Sequence, residues 1–178
     1  MRRNTLVRLL AYTALSVMTA ATAVVSTTPA HASANCSEVS IKAANGLYVS
    51  AEIGYTGSYY GMLRARASTV GPWEKFQKCW LDSNHFALYS EANGLYVRAD
   101  LGYATTDPLY GMLRASINSI GGPYETFFDD SGDAIVAANN RWVSAELSYT
   151  GNERGMLRAR ATSIGPWEIF NWTCYQNC

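Results

Sequence analysis

One phrase recurs three times in this chain and limits what the chain can fold into. Ala43-Ala44-Asn45-Gly46-Leu47-Tyr48-Val49-Ser50-Ala51-Glu52 returns as Glu91-Ala92-Asn93-Gly94-Leu95-Tyr96-Val97-Arg98-Ala99-Asp100 and as Ala137-Ala138-Asn139-Asn140-Arg141-Trp142-Val143-Ser144-Ala145-Glu146. Each copy is followed by Gly-Met-Leu-Arg-Ala, starting at Gly61, Gly111 and Gly155, and then by Gly-Pro-aromatic-Glu-x-Phe, ending at Phe76, Phe127 and Phe170. Gly46 and Gly94 stand 48 residues apart, and Asn93 and Asn139 stand 46 apart. A period of that size belongs to repeat architectures, in which no single unit can bury its apolar face alone.

The repeats begin only after a distinct leader. Arg2, Arg3 and Arg8 precede an apolar stretch from Leu9 to Val25, and Pro29-Ala30-His31-Ala32 places small residues where a signal peptidase reads. Residues 1–34 therefore read as a secretory signal peptide, cut after Ala32 or Ala34. Thr13, Ser16, Thr19 and Thr22 dilute the apolar run and argue against a retained membrane anchor. The leader holds three of the 14 basic residues and none of the 14 acidic ones, which leaves 11 against 14 and a net charge of −3. No basic run survives, so neither a nucleic-acid backbone nor an anionic membrane surface is an expected partner. Residues 35–178 read as one domain of three repeats, about 37–83, 84–132 and 133–178.

All 4 cysteines, Cys36, Cys79, Cys174 and Cys178, follow the leader. In an oxidising compartment they are expected to form two disulfides, with three possible pairings. Their spacing lacks a paired C-x-x-C, and His85 is the one histidine beyond the leader, so zinc ligation is disfavoured.

Within a repeat the apolar residues alternate with the period of a strand: Leu47, Val49 and Ala51 on one face, Tyr48, Ser50 and Glu52 on the other. Leu63, Ala65 and Ala67 alternate with Arg64, Arg66 and Ser68 in the same way, and no helical period is evident after the leader. Each repeat is expected to hold four short strands, in the first repeat Val39–Ala43, Leu47–Glu52, Met62–Ala67 and Trp73–Leu81. Twelve strands in three units close most economically as an all-β barrel capped by three hairpins, a β-trefoil with pseudo-threefold symmetry. A propeller would need more blades than three.

The run Leu-Tyr-Val-Ser-Ala-Glu, then Leu-Arg-Ala, then Gly-Pro-Trp-Glu-x-Phe resembles the bacterial fascin-like β-trefoil domains, across all three repeats. Such domains occur alone or attached to secreted glycan-degrading enzymes, so the resemblance implies a secreted trefoil that binds rather than catalyses. The Gln-x-Trp signature of ricin-type trefoil lectins is missing, and no sugar site is carried over from them.

The repeated residues read mainly as architecture. Trp73, Tyr124 and Trp167, each three before a Phe, are expected to pack in the core. Glu74, Glu125 and Glu168 are expected to accept hydrogen bonds from backbone amides of a neighbouring turn. Glu52, Asp100 and Glu146 are expected to form surface cross-strand ion pairs with Arg64, Arg114 and Arg158. Asp129-Asp130-Ser131-Gly132-Asp133 reads as a solvated turn, because it lacks the bidentate Glu of a calcium loop.

The candidate ligand-binding residues are the loop tyrosines Tyr55, Tyr59, Tyr60, Tyr103, Tyr110 and Tyr149, whose flat faces and hydroxyls suit sugar rings. The competing reading is that they seal the end of the barrel. No nucleophile with a base and no asymmetric carboxylate pair stands out, so no enzyme, cofactor or metal is expected. The sequence reads as a secreted monomer, a binding module for a glycan or polysaccharide. The alternative is a trefoil that binds another protein, such as an inhibitor, a partner of a secreted protein or an actin-binding-like domain.

Overall fold

The structure, a computed structural model, describes residues 35–130 and 133–178. The expected signal peptide lies outside the described residues, as do Ser131 and Gly132 of the acidic cluster. Twelve strands follow one another: β1 (Cys36–Lys42), β2 (Tyr48–Glu52), β3 (Met62–Ala67), β4 (Phe76–Trp80), β5 (His85–Ser90), β6 (Leu95–Asp100), β7 (Met112–Ile117), β8 (Phe127–Asp130), β9 (Ala134–Val136), β10 (Trp142–Ala145), β11 (Leu157–Ala161) and β12 (Asn171–Gln176). No α-helix occurs among the described residues; the remaining regular pieces are short 3-10 turns.

The fourth strand of each repeat starts later than the alternation predicts. Pro72–Glu74, Pro123–Glu125 and Pro166–Glu168 are 3-10 turns. Proline at the first position favours that turn, and the glutamate side chain closes it. Glu74 accepts a hydrogen bond from the Gly71 amide at 2.8 Å, and Glu168 accepts one from the Gly165 amide at 2.8 Å. Glu125 takes the amide of Gly121 at 3.3 Å.

Antiparallel pairing runs from β12 to β1, β4, β5, β8 and β9 in turn. The ring closes where Ala134 bridges Ile169 and the Phe170 amide donates to the Asp133 carbonyl at 2.8 Å. The other six strands form the hairpins β2–β3, β6–β7 and β10–β11. Their second strands meet one another through Met62↔Arg114, Arg158↔Met112 and Arg64↔Met156.

One core fills the ring. Val49, Leu63 and Phe76 are fully buried, as are their counterparts Val97, Leu113 and Phe127 and then Val143, Leu157 and Phe170. Burying a side chain of this size stabilises the fold by about 1.5–3 kcal/mol each.

Trp73, Tyr124 and Trp167 do not join this core. They sit within the turns, where Trp73 and Trp167 are half-buried and Tyr124 is 44% exposed. The phenylalanine three residues on is the inward residue, because the intervening turn breaks the strand alternation.

Each hairpin also carries a β-bulge at the same place, after Tyr48, Tyr96 and Trp142. Tyr48 faces Ala67 while Val49 faces Ala65, so Arg66 is the extra residue, and Ser116 and Arg160 hold that place in the other copies. A bulge re-aims the side chain it inserts.

Two disulfides form: Cys36–Cys79 between β1 and β4, and Cys174–Cys178 at the end of the chain. Of the three possible pairings this is the one the fold selects, since β1 and β4 place Cys36 directly opposite Cys79.

Candidate ligand-binding site

The three hairpins bring together a second apolar cluster. Met62, Met112 and Met156 are fully buried against one another, and Tyr55, Tyr59, Leu109 and Tyr149 pack over them. A ring of backbone hydrogen bonds surrounds the methionines: Ala115 to the Gly61 carbonyl, Ala159 to the Gly111 carbonyl and Ala65 to the Gly155 carbonyl, each 2.8 Å. The three glycines have φ between 76° and 81°, and a Cβ on any of them would lie within 2.6 Å of a carbonyl oxygen. Glycine is obligatory there for both reasons.

Arginines stitch each hairpin loop to the next repeat. Arg64 donates to the Tyr55 hydroxyl at 2.8 Å and to the carbonyls of Arg154 at 2.7 Å and Gly151 at 3.1 Å. Arg158 repeats the pattern, donating to the Tyr149 hydroxyl at 2.8 Å and to the carbonyls of Tyr110 at 2.6 Å and Asp107 at 2.9 Å. Arg114 donates to one loop carbonyl, that of Ser58 at 3.3 Å, while its Nε faces Asp100. The Tyr59 hydroxyl donates to Glu153 across the cap. That bond, with burial and the negative charge of Glu153, pushes the Tyr59 hydroxyl up to about 12.

The structure thus gathers Tyr55, Tyr59 and Tyr149 over the methionines, with the Tyr55 and Tyr149 hydroxyls held by arginines of their own hairpins and those of Tyr55 and Tyr59 reaching Asn152 and Glu153 of the third loop. Tyr103 and Tyr110 are half-buried, while Tyr60 is 36% exposed. The loops still leave a cleft of about 340 Å³ beside the Tyr149 ring, lined also by Pro108, Ser148, Thr150 and Glu153.

Glu52, Asp100 and Glu146 are buried rather than solvated. Asp100 keeps the expected partner Arg114, but the bulge gives Glu52 and Glu146 partners that simple alternation does not. Glu52 pairs with Arg66, and Glu146 pairs with Arg160, whose second nitrogen lies at 2.8 Å. Repeat two has Ser116 at the bulge, and its cation comes instead from β6: Arg98 lies 3.1 Å from Asp100, with Arg114 at 2.9 Å on the other oxygen. Burial pushes the Asp100 carboxyl above its ordinary range, against the pull of Arg114 and Arg98. Arg98 also lies over the Tyr124 ring at 5.6 Å, as Arg66 lies over Trp73 at 6.0 Å. Arg98 therefore replaces Arg66 in both contacts.

Asp129 and Asp130 are likewise not a solvated turn. Asp129 pairs with Lys78 at 2.6 Å, and Asp130 accepts a hydrogen bond from the Trp142 indole nitrogen at 2.8 Å. Trp142, Tyr48 and Tyr96 are half-buried side chains at equivalent bulges, and the sequence reading left them out of the site. Each follows the Asn-Gly or Asn-Asn turn by two residues, and that recurrence was the signal available to find them.

Several solved structures share this fold. The designed threefold-symmetric protein ThreeFoil superposes with a TM-score of 0.60 at 15% identity, over 76% of this chain and 96% of its own. Cry35Ab1 superposes with a TM-score of 0.57 at 17% identity, over 81% of this chain but only 37% of its own. The agglutinin of Rhizoctonia solani gives 0.54 at 16% identity, over 79% of this chain and 96% of its own. No protein-family profile and no curated protein matches the sequence. At these identities the likeness to the solved structures is one of fold.

Proposed function

We propose that this chain is an exported, non-catalytic carbohydrate-binding module built as a single β-trefoil. The observation that carries this reading is the cleft between the second and third hairpin loops. There the Tyr149 ring is fixed through its hydroxyl by Arg158, while Ser148, Thr150 and Glu153 surround it with hydroxyl and carboxylate oxygens. A fixed aromatic face with convergent hydrogen-bonding groups is the chemistry that holds a sugar ring. Export is supported by the leader pattern and by two disulfides. The sharing of fold with an agglutinin supports the same ligand class. His85, the one histidine beyond the leader, is held by Asp82 at 2.9 Å.

Glycan arrays and pull-down on insoluble polysaccharides test the reading. Retention of the folded protein on at least one glycan, weakened by Thr150→Ala with Ser148→Ala, is the expected result. A folded protein that is retained on none refutes it.

A further inference from the structure

The three repeats carry different side chains on the outer wall of the barrel. Pairing aligns one outward-facing row of side chains across the strands at each junction. Between the second and third repeats the row is His85–Phe128–Val136–Trp142, on β5, β8, β9 and β10. The equivalent row between the first and second is Glu38–Gln77–Tyr89–Tyr96, and between the third and first it includes Asn171–Lys42–Tyr48. The latter two rows are filled with polar and charged groups. Lys75 pairs with Glu38 at 2.6 Å, Gln77 donates to Glu91 at 2.5 Å, and Lys42 lies over the Tyr48 ring at 4.6 Å.

The row at the second junction, unlike those with Glu38 and Lys42, holds no Asp, Glu, Lys or Arg, and there a cleft of about 410 Å³ opens. That volume falls in the range of roughly 300–1,000 Å³ typical of small-molecule sites. Phe128, Val136 and Pro123 supply apolar surface, and His85, Thr126 and Asn140 supply polar groups. No Asp, Glu, Lys or Arg lines it among the described residues.

Two features distinguish the polar groups of this cleft. Asp82 binds the His85 ring at Nδ1, at 2.9 Å and 3.0 Å to its two oxygens, which fixes the imidazole and leaves Nε2 on the far side of the ring. Asn140 has φ 55°, at the position where the other repeats have Gly46 and Gly94 at 74° and 69°. The left-handed backbone favours glycine and, among residues with a side chain, asparagine, so Asn140 keeps the turn while adding a carboxamide. The third repeat thus presents a carboxamide where its sisters present none. Beyond the cleft, Trp142 continues the row with its ring held by Asp130.

We propose that this wall cleft, with His85, Phe128, Val136 and Asn140, is a saccharide subsite present once per molecule, and that it takes an uncharged sugar unit. The apolar floor receives the C–H face of the ring, and the imidazole, hydroxyl and carboxamide bind its hydroxyls. The absence of charged lining groups selects a neutral glycan over a uronic acid or an amino sugar. The proposal rests on the carbohydrate reading above but places a second contact region on a different face from the loop cleft.

The test grafts the residues of the other repeats, which the same fold already accommodates: Asn140→Gly, as in Gly46 and Gly94, and Val136→Lys, as in Lys42. Full-length secreted protein is run by affinity electrophoresis through gels containing laminarin, xylan or galactomannan, with polygalacturonate as the charged comparison. The expected result is retention by a neutral polysaccharide that falls at least tenfold in the double variant, with an unchanged melting temperature. Retention that is the same in the double variant and in wild type, but lost with the Ser148 and Thr150 variants, overturns the wall site and leaves the carbohydrate reading standing. Preferential retention by polygalacturonate overturns the neutral-ligand assignment. No retention of the wild type on any gel overturns both.

Discussion

Lys78 and Asp129 occupy equivalent positions in successive repeats, each two residues after the buried phenylalanine, and they meet as an ion pair at 2.6 Å. The third equivalent is Trp172. The Lys78 ammonium lies 4.4 Å from the centroid of that ring, 4.4 Å from Trp80 and 4.5 Å from Phe86. Both charged side chains are nearly buried, at 10% and 12% exposure. Removing one partner leaves an uncompensated charge, so Lys78→Met or Asp129→Leu alone is expected to cost about 3–5 kcal/mol. Combining the two restores stability to wild type or above, since an apolar trio can replace a buried pair. Urea denaturation of the three variants checks this; additive losses in the double variant would contradict it.

Arg98 serving in place of Arg66 implies that the cation can be moved. Arg98→Ser copies Ser50 and Ser144 but strips Asp100 of one of its two arginines, with an expected loss of about 2 kcal/mol. Adding Ser116→Arg supplies the bulge arginine of the other repeats and recovers most of that loss. Chemical melts of the single and double variants read the coupling.

Tyr59 predicts a pH response at the alkaline end. Its folded value of about 12 lies above the ordinary 10.0, so the stabilisation is complete below pH 10 and is lost as the pH rises through 12. Glu153→Gln removes the main cause of the shift and should bring the hydroxyl back toward its ordinary value. Absorbance titration of wild type and Glu153→Gln, each differenced against its Tyr59→Phe counterpart, isolates this one tyrosine. An unchanged curve in the Gln variant would assign the shift to something other than Glu153.

The two disulfides should contribute unequally. Cys36–Cys79 spans 43 residues and Cys174–Cys178 spans 4. Chain-entropy reasoning gives about 4 kcal/mol for the first and about 2 kcal/mol for the second. Paired Cys→Ala variants followed by thermal melting should therefore lose far more in the Cys36/Cys79 case. Equal losses would show that the terminal bridge holds β12 against β1.

The repeated strands were legible because burial imposes a period of two that the sequence spells three times. The errors arose where a local device breaks that period. Trp73, Tyr124 and Trp167 looked like core residues until the Pro-initiated turn shifted the inward position to Phe76, Phe127 and Phe170. The carboxylates of Glu52 and Glu146 were matched to Arg64 and Arg158, but a one-residue bulge hands them to Arg66 and Arg160. A one-residue slip reverses which side chains share a face, and nothing in composition announces it. Asp129 was unreadable for another reason: its partner Lys78 lies 51 residues earlier. The loop tyrosines were legible as a group, but Arg64 and Arg158 reach the Tyr55 and Tyr149 hydroxyls across their own hairpins and Glu153 meets Tyr59 from another repeat, which alternation along a strand cannot reveal.

The hydrogen bonds that pass from Gly61 to Ala115, from Gly111 to Ala159 and from Gly155 back to Ala65 form a circuit without an end. Linear repeat arrays grow or shrink by whole units and need special capping copies at their termini. Here every unit is capped by the next, and the last caps the first. A fourth copy would find no free acceptor, and a lost copy would leave one carbonyl and one amide unpaired. The number three is therefore set by the circuit's geometry, and the copies are free to diverge on the outer wall only because none can be spared at the axis.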